Sequence, residues 1–220
     1  MTVPGSAPAS EAYHDVHLTE HAGRRVVWQV IADYLARWVS REAHVLELGA
    51  GYCEWINSVR ASRKVAIDLW PEFARHAHDD VEAIVMDAAS ELTRFGVEQF
   101  DVVLASNLLE HFDASVASTI VGDVAALLKP RGRFIIIQPN FRFAYRRYFD
   151  DYTHRSVFTD TSLANLLRSH RFAIEVSKPR FLPYSMREVR TPIPAWLVRA
   201  YIWSPIKPMA GQMLIIGRKS

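Results

Sequence analysis

Cysteine is almost missing from this 220-residue chain: Cys53 stands alone. A single thiol excludes a disulfide scaffold and any zinc cluster built on cysteines. Charge of one sign is missing too. Lys and Arg number 26 against 24 Asp and Glu, a net +2. No basic field is available to hold a duplex backbone, so a duplex nucleic-acid partner is not expected. No apolar run approaches the roughly 20 residues of a spanning helix. The start, MTVPGSAPAS, lacks the basic-then-apolar pattern of a signal peptide. A soluble, cytoplasmic protein is the expectation. What is present is core material: half of the residues are hydrophobic and 11% aromatic. That is enough for one α/β domain over 1–220 and too much for a disordered chain.

Residues 1–10 read as a disordered leader and 11–40 as a helical cap. In the cap, Val26, Val27, Val30, Ile31, Tyr34, Leu35 and Trp38 recur at steps of three and four, the period of an amphipathic helix. Then the period changes. HVLELGA (44–50), KVAIDL (64–69), EAIVMDA (82–88), FDVVLASN (100–107) and RFIIIQP (133–139) are short strands. Their largely unbroken apolar runs suit a parallel sheet covered on both faces. A helix capped by Asp113 should precede Lys129-Pro130-Arg131-Gly132, and Asp160 should cap a second one. The tail, RFAIEVSKP (171–179) and GQMLIIGRKS, supplies two late strands with no clean crossover helix between them, which implies an antiparallel pair at one edge. The pattern is a doubly wound, Rossmann-like α/β sheet.

Three acids fall at the carboxyl ends of the first three strands: Glu47, before Gly49 and Gly51; Asp68, 21 residues on; and Asp87. Ligands of open α/β sheets bind at these strand ends. A nicotinamide or flavin site would want a third glycine where Glu54 stands. Glu47 would be poor beside a pyrophosphate; it suits a cationic amino or sulfonium group. The plain alternative is that these acids only cap helices.

With these motifs the chain resembles the class I S-adenosylmethionine-dependent methyltransferases. VLELGAGYCEW is similar to their first motif, AIDLW to the ribose-binding acidic motif and VMDAAS to the adenine motif. FDVVLASNLLEHF and LLKPRGRFIIIQPN are similar to the fourth and fifth strands. The resemblance covers 25–179 and the final strand. It implies a seven-stranded, mostly parallel sheet with an antiparallel C-terminal edge strand, and S-adenosyl-L-methionine as cofactor. It places Gly49 and Gly51 against the methionine part, with Glu47 orienting that end. Asp68 would take the ribose diol, Asp87 the adenine amino group, and the Ala88 N–H would lie near the ring. Leu69 and Asn107 join the cofactor set. Cys53 departs from the motif, standing where a third glycine is usual.

The acceptor side should lie after strands four and five. Asn107, Glu110 and His111, with His154 far downstream, resemble the Glu-x-x-Glu-His…His metal set of small-RNA 2′-O-methyltransferases and some ubiquinone-pathway O-methyltransferases. Asn107 replaces the first glutamate and removes a charge. The preferred reading is therefore metal-free proton handling by His111 and His154 beside Glu110, with a divalent ion as the alternative and simple packing as the bland one. Residues 141–155 should form a lid over the acceptor. Its Arg142, Arg146 and Arg147 suit a phosphate or carboxylate, or a solvated face. Tyr13, His14, His17 and His21 could close over the cofactor. The Pro- and aromatic-rich stretch 180–209 holds a short helix, AWLVRAYIW, fit to cover the sheet edge, to join two copies or to touch a membrane surface. This tail and PNFRFAYRRYFDDYTHR resemble methyltransferases of glycan or glycolipid assembly. The expected function is O-methylation of a small molecule, sugar or lipid-linked glycan. The rivals are a small-RNA 2′-O-methyltransferase and a silent cofactor-binding module.

Overall fold

The computed structural model describes residues 22–184 and 193–220. The leader, Tyr13, His14, His17, His21 and residues 185–192 lie outside the described residues. Seven strands form one sheet in the order β3-β2-β1-β4-β5-β7-β6. They are β1 (His44–Leu48), β2 (Arg63–Asp68), β3 (Val81–Val85), β4 (Phe100–Ser106), β5 (Leu128–Pro139), β6 (Phe172–Pro183) and β7 (Ala210–Lys219). β1 to β5 are parallel; β7 is antiparallel to both β5 and β6. The antiparallel strand thus sits one place in from the C-terminal edge, and β6 closes the sheet.

Alternate strand residues feed two separate cores, because successive side chains point to opposite faces. Leu46, Val103, Phe134, Ile136 and Ile215 pack with α3 (Ala114–Leu127) and α5 (Asp160–Ser169). Val45, Val102, Leu104, Ile135 and Leu214 pack with α1 (Ala22–Leu35), α2 (Glu54–Ser58) and α6 (Ala195–Trp203). α1 buries Val27, Val30, Ile31, Tyr34 and Leu35, as its spacing predicts, and ends before the expected residue 40. β3 is the exception among the parallel strands. It lies at the other edge, only part-buried, and short 3-10 turns at Pro71–His76 and Leu92–Phe95 stand where crossover helices would be.

Several boundaries differ from the sequence reading. β3 ends at Val85, so Asp87 lies in the loop beyond it. Lys129-Pro130-Arg131-Gly132 belongs to an irregular start of β5, where Phe100 pairs with Leu128 before the register shifts. β6 runs on to Pro183, through the first residues of the expected 180–209 stretch. Asp113 occupies the cap position of α3, but its side chain makes no cap bond and instead pairs with Arg155 at 3.6 Å. α5 is capped by Thr159, not Asp160: the Thr159 hydroxyl accepts from the Ser162 N–H and the Ser162 side chain answers, a complete capping box. Asp160 takes the next position, where an acid favours the helix dipole.

Candidate active site

The glycine turn after β1 is held by the acids around it. Asp68 accepts the Gly51 N–H on one oxygen (2.8 Å) and the Trp70 N–H on the other (2.9 Å). Glu47 is buried and accepts the Ile56 N–H at 3.0 Å. Burial pushes its carboxyl well above the ordinary carboxylate range, although the Ile56 bond opposes this. The turn needs left-handed backbone at Gly49 (φ 65°), Gly51 (φ 50°) and Cys53 (φ 56°). Position 53 is where the usual motif carries a third glycine, and its backbone shows why. The Cys53 thiol is fully buried, and burial raises its pKa, so it is an inert packing group. At Gly49 a Cβ would come within 3.0 Å of the Leu108 side chain in the loop after β4, so the missing side chain lets Leu108 pack directly against the turn.

Asp87 is used locally. Its oxygens accept from the Ala89 N–H (2.8 Å) and the Ser90 hydroxyl (3.0 Å), and Glu91 in turn accepts the Asp87 N–H. Ala88 is buried in the core on the α3 side, and Leu69 is half-buried beside Asp68. Sequence reasoning passed over an aromatic group next to Asp68: Trp70 and His76 stack at 5.7 Å, and Tyr52 meets both edge-on. Of the three, only Trp70 lies in the acidic motif AIDLW, and no spacing links it to Tyr52 or His76.

On the acceptor side the structure brings together Glu110, His111 and His154, with ligating atoms within 4.8 Å of one another. It does not bring Asn107 to them by any hydrogen bond. Asn107, in left-handed backbone, reaches Ser106 and Gln212 instead. His154 is drawn in because the chain after it pairs with the Glu110 backbone: the Arg155 and Ser156 N–H groups both donate to the Glu110 carbonyl. The Ser156 hydroxyl donates to the Phe112 carbonyl, and the Tyr148 hydroxyl to the Ser156 carbonyl.

A relay runs beneath His111. The Thr153 hydroxyl donates to Asp151 at 2.6 Å, so its oxygen must accept the proton of His111 Nδ1 at 2.9 Å. His154 Nδ1 lies 2.7 Å from the Tyr148 carbonyl, which can only accept. Both rings therefore carry the Nδ1 proton, and in the neutral rings Nε2 bears the lone pair. Burial opposes ionisation of Asp151, but the Thr153 hydroxyl and N–H and the two imidazoles hold its pKa below the ordinary value. Glu110 is the opposite case. It is fully buried, neither oxygen has a hydrogen-bond partner among the described residues, and burial lifts it to about 8. Neither Thr153 nor Asp151 was singled out from the sequence.

Residues 141–155 form α4 (Phe141–Ala144) and a 3-10 turn, Tyr148–Asp150. The Tyr184 hydroxyl donates to the Arg147 carbonyl, and Tyr148 is buried. Arg142 and Arg147 pair with Asp160 and Asp150 at 4.0 and 3.5 Å, and Arg146 donates to the Tyr145 hydroxyl.

A family model described as a methyltransferase domain matches residues 20–175. The chain belongs to the class I S-adenosylmethionine-dependent methyltransferases. Among solved structures, a methyltransferase of Archaeoglobus fulgidus is 16% identical at a TM-score of 0.64, over 87% of this chain and 94% of that one. The 1,6-didemethyltoxoflavin-N1-methyltransferase of Burkholderia thailandensis, solved with S-adenosylhomocysteine, is 23% identical at 0.59, over 95% and 84%. An O-methyltransferase family protein from the same organism is 18% identical at 0.62, over 90% and 58%. These similarities establish the shared fold; they include both nitrogen and oxygen methylation. A comparison with curated protein sequences gives no match. No helix among the described residues is long and apolar enough to cross a membrane.

Proposed function

We propose that this methyltransferase methylates a hydroxyl of a small molecule or glycan, with His111 as the base. The observation that carries this is the His111–Thr153–Asp151 relay. The cofactor residues fit their group. Asp68 is fixed by two backbone N–H groups yet keeps further lone pairs for a ribose diol, and Gly49 and Gly51 hold the left-handed turn beside it. Glu47 would orient the amino end, and Asp87, Ala88 and Leu69 would line the adenosine part. S-adenosylmethionine supplies, when bound, an electrophilic methyl on a sulfonium.

An alcohol has a pKa far above neutrality, so its proton must be accepted as the new C–O bond forms. His111 Nε2 takes it. The imidazolium that results is met through Thr153 by the ionised Asp151, an arrangement that fixes both tautomer and charge. His154 stacks edge-on at 4.9 Å and shapes the acceptor side of the pocket. Glu110, lifted to about 8 by burial, holds its own proton far more tightly than an ordinary carboxylic acid. Removing His111 by His111→Ala should cut turnover by roughly 10²–10⁴-fold with the cofactor product still binding. Unchanged turnover would sink the assignment.

One observation favours a second reading. The two unpartnered oxygens of Glu110, beside two imidazoles, suit a divalent cation that would ionise that carboxyl and activate the acceptor directly. Exhaustive chelation separates the two. Activity that survives supports the histidine base; activity lost and restored by a divalent ion supports the cation.

A further inference from the structure

The chain between Tyr184 and Gly211 leaves and re-enters the sheet at the edge that carries the site. β6 runs parallel to β1–β5, so its last residue, Pro183, pairs with Ala210 at the carboxyl ends of the parallel strands. The crossing is tight: a Cβ on Gly211 would lie 2.6 Å from that of Tyr184. Gln212 ties it to the site, donating to Asn107 and to the Tyr184 carbonyl.

Within this stretch α6 is apolar on nearly every side, with Arg199 its one charge. Val198 and Ile202 are buried in the core beside α1. Trp196, Ala200 and Trp203, at steps of four and three, form a stripe that faces outward with Leu197. Trp196 is 68% exposed and Trp203 63%; beyond the helix Ile206 reaches 75% and Met209 83%. A helix that is hydrophobic all round is normally covered all round, and so large an exposed cluster marks a contact surface.

Charge indicates what covers it. Among the described residues of 178–209, Lys178, Arg180, Arg199 and Lys207 stand with no acid, a net +4 in a chain whose total is +2. The remainder of the chain is therefore net acidic. Arg199 is paired with Asp33 at 3.1 Å. Lys207 donates to the Tyr201 and Ile202 carbonyls, and Arg180 to the Lys207 carbonyl, so two cations are fixed at the end of α6. Arg37 is held against the Trp203 ring at 4.6 Å.

We propose that α6 and the turn after it dock the protein on an anionic lipid bilayer. Exposed tryptophans suit the headgroup level, and basic residues beside them are drawn to lipid phosphates. A nine-residue helix lies in the interface and does not cross it. The mouth of the site then opens beside the membrane. Docking does not depend on the acceptor reading; the further consequence, that the acceptor is lipid-linked, rests on it.

Flotation of the full-length protein with phosphatidylcholine vesicles, with and without phosphatidylglycerol, tests this. Binding is expected only with phosphatidylglycerol, weakening as salt is raised. Trp196→Glu and Ile206→Glu, each fully exposed enough to spare the core, should each lower binding by about tenfold or more. The thermal shift given by S-adenosylhomocysteine should stay the same in both variants, which separates a docking failure from a failure of the cofactor site. Three results would overturn the proposal: no binding to either vesicle, equal binding to both, or a dimer in sedimentation that these same variants dissolve while lipid binding is absent. The last would make the stripe a contact between two copies.

Discussion

The two halves of the site treat their carboxylates in opposite ways. On the β1–β2 side, Asp68 and Asp87 spend both oxygens on nearby N–H or hydroxyl groups, and Glu47 spends one. On the β4–β5 side, Glu110 is buried with neither oxygen bonded among the described residues, and Asp151 accepts from the Thr153 hydroxyl that bonds His111. The first half is a rigid frame whose acids build the turn that receives a cofactor. The second half keeps acid, hydroxyl and imidazole in a chain that can move a proton. An unpaired buried carboxyl is costly unless it stays neutral, so Glu110 is affordable only as an acid or against a cation.

Breaking the relay should give the largest effect on the acceptor half alone. Thr153→Val keeps the volume but removes the hydroxyl between His111 and Asp151. Turnover should fall about tenfold or more, with the acidic arm of the pH–rate profile displaced and cofactor affinity unchanged. A profile identical to that of the parent would mean that the relay only packs.

Asp68→Ala should do the reverse. Two charge-assisted hydrogen bonds, each worth about 1.5–3 kcal/mol, are lost toward the ribose, so S-adenosylhomocysteine affinity should drop at least about tenfold by calorimetry. Because Asp68 also holds Gly51 and Trp70, the melting temperature should fall as well. Affinity that survives a lowered melting temperature would confine Asp68 to the frame.

Glu110→Gln sharpens the contrast through pH. The Glu110 acid is lifted to about 8 from an ordinary value near 4.5. Between these values the folded chain keeps a proton that the unfolded chain releases, so this residue's contribution to stability falls as pH rises, and levels off above about 8. The glutamine variant cannot titrate. Its stability relative to the parent should climb from about pH 5 to about pH 8, measured by urea unfolding. A difference that stays flat would show that Glu110 is already ionised, as a bound cation would make it.

The smallest effect is expected at Cys53→Gly. Left-handed backbone costs a non-glycine residue roughly 1–2 kcal/mol, while the lost buried thiol costs a similar amount of burial energy. The two should nearly cancel, leaving the melting temperature within a few degrees of the parent, about 1 kcal/mol or less. A large loss would mean that the thiol packs more tightly than its turn is strained.

The difference between the halves also explains what could be read in advance. The frame is local. Glu47 to Ile56, Gly51 to Asp68 and Asp68 to Trp70 span 9, 17 and 2 residues. Strand periods and glycines announce such contacts, and the left-handed turn at Cys53 follows from them. The acceptor half is assembled from afar: His111 meets Thr153 across 42 residues, and Gln212 meets Asn107 across 105. The two histidines stood out by type, but nothing in DDYTHR distinguishes Asp151 from Asp150 as the relay acid. Local signals also misplaced a cap, since Thr159 and Asp160 are both good capping residues, and Thr159 is the one with extended backbone and a Ser162 three residues on to complete the box.

The sequence by itself determined the strands, the two-faced burial of the sheet and the glycine turn with its acids, because these depend on period and on backbone chemistry between near neighbours. The tertiary structure alone decided that β7 is threaded between β5 and β6, that Asn107 bonds to Gln212, and that a fully buried Glu110 lies beside an Asp151 held by Thr153. Each of these is a matter of which distant groups share a low-dielectric space, and no spacing along the chain encodes that.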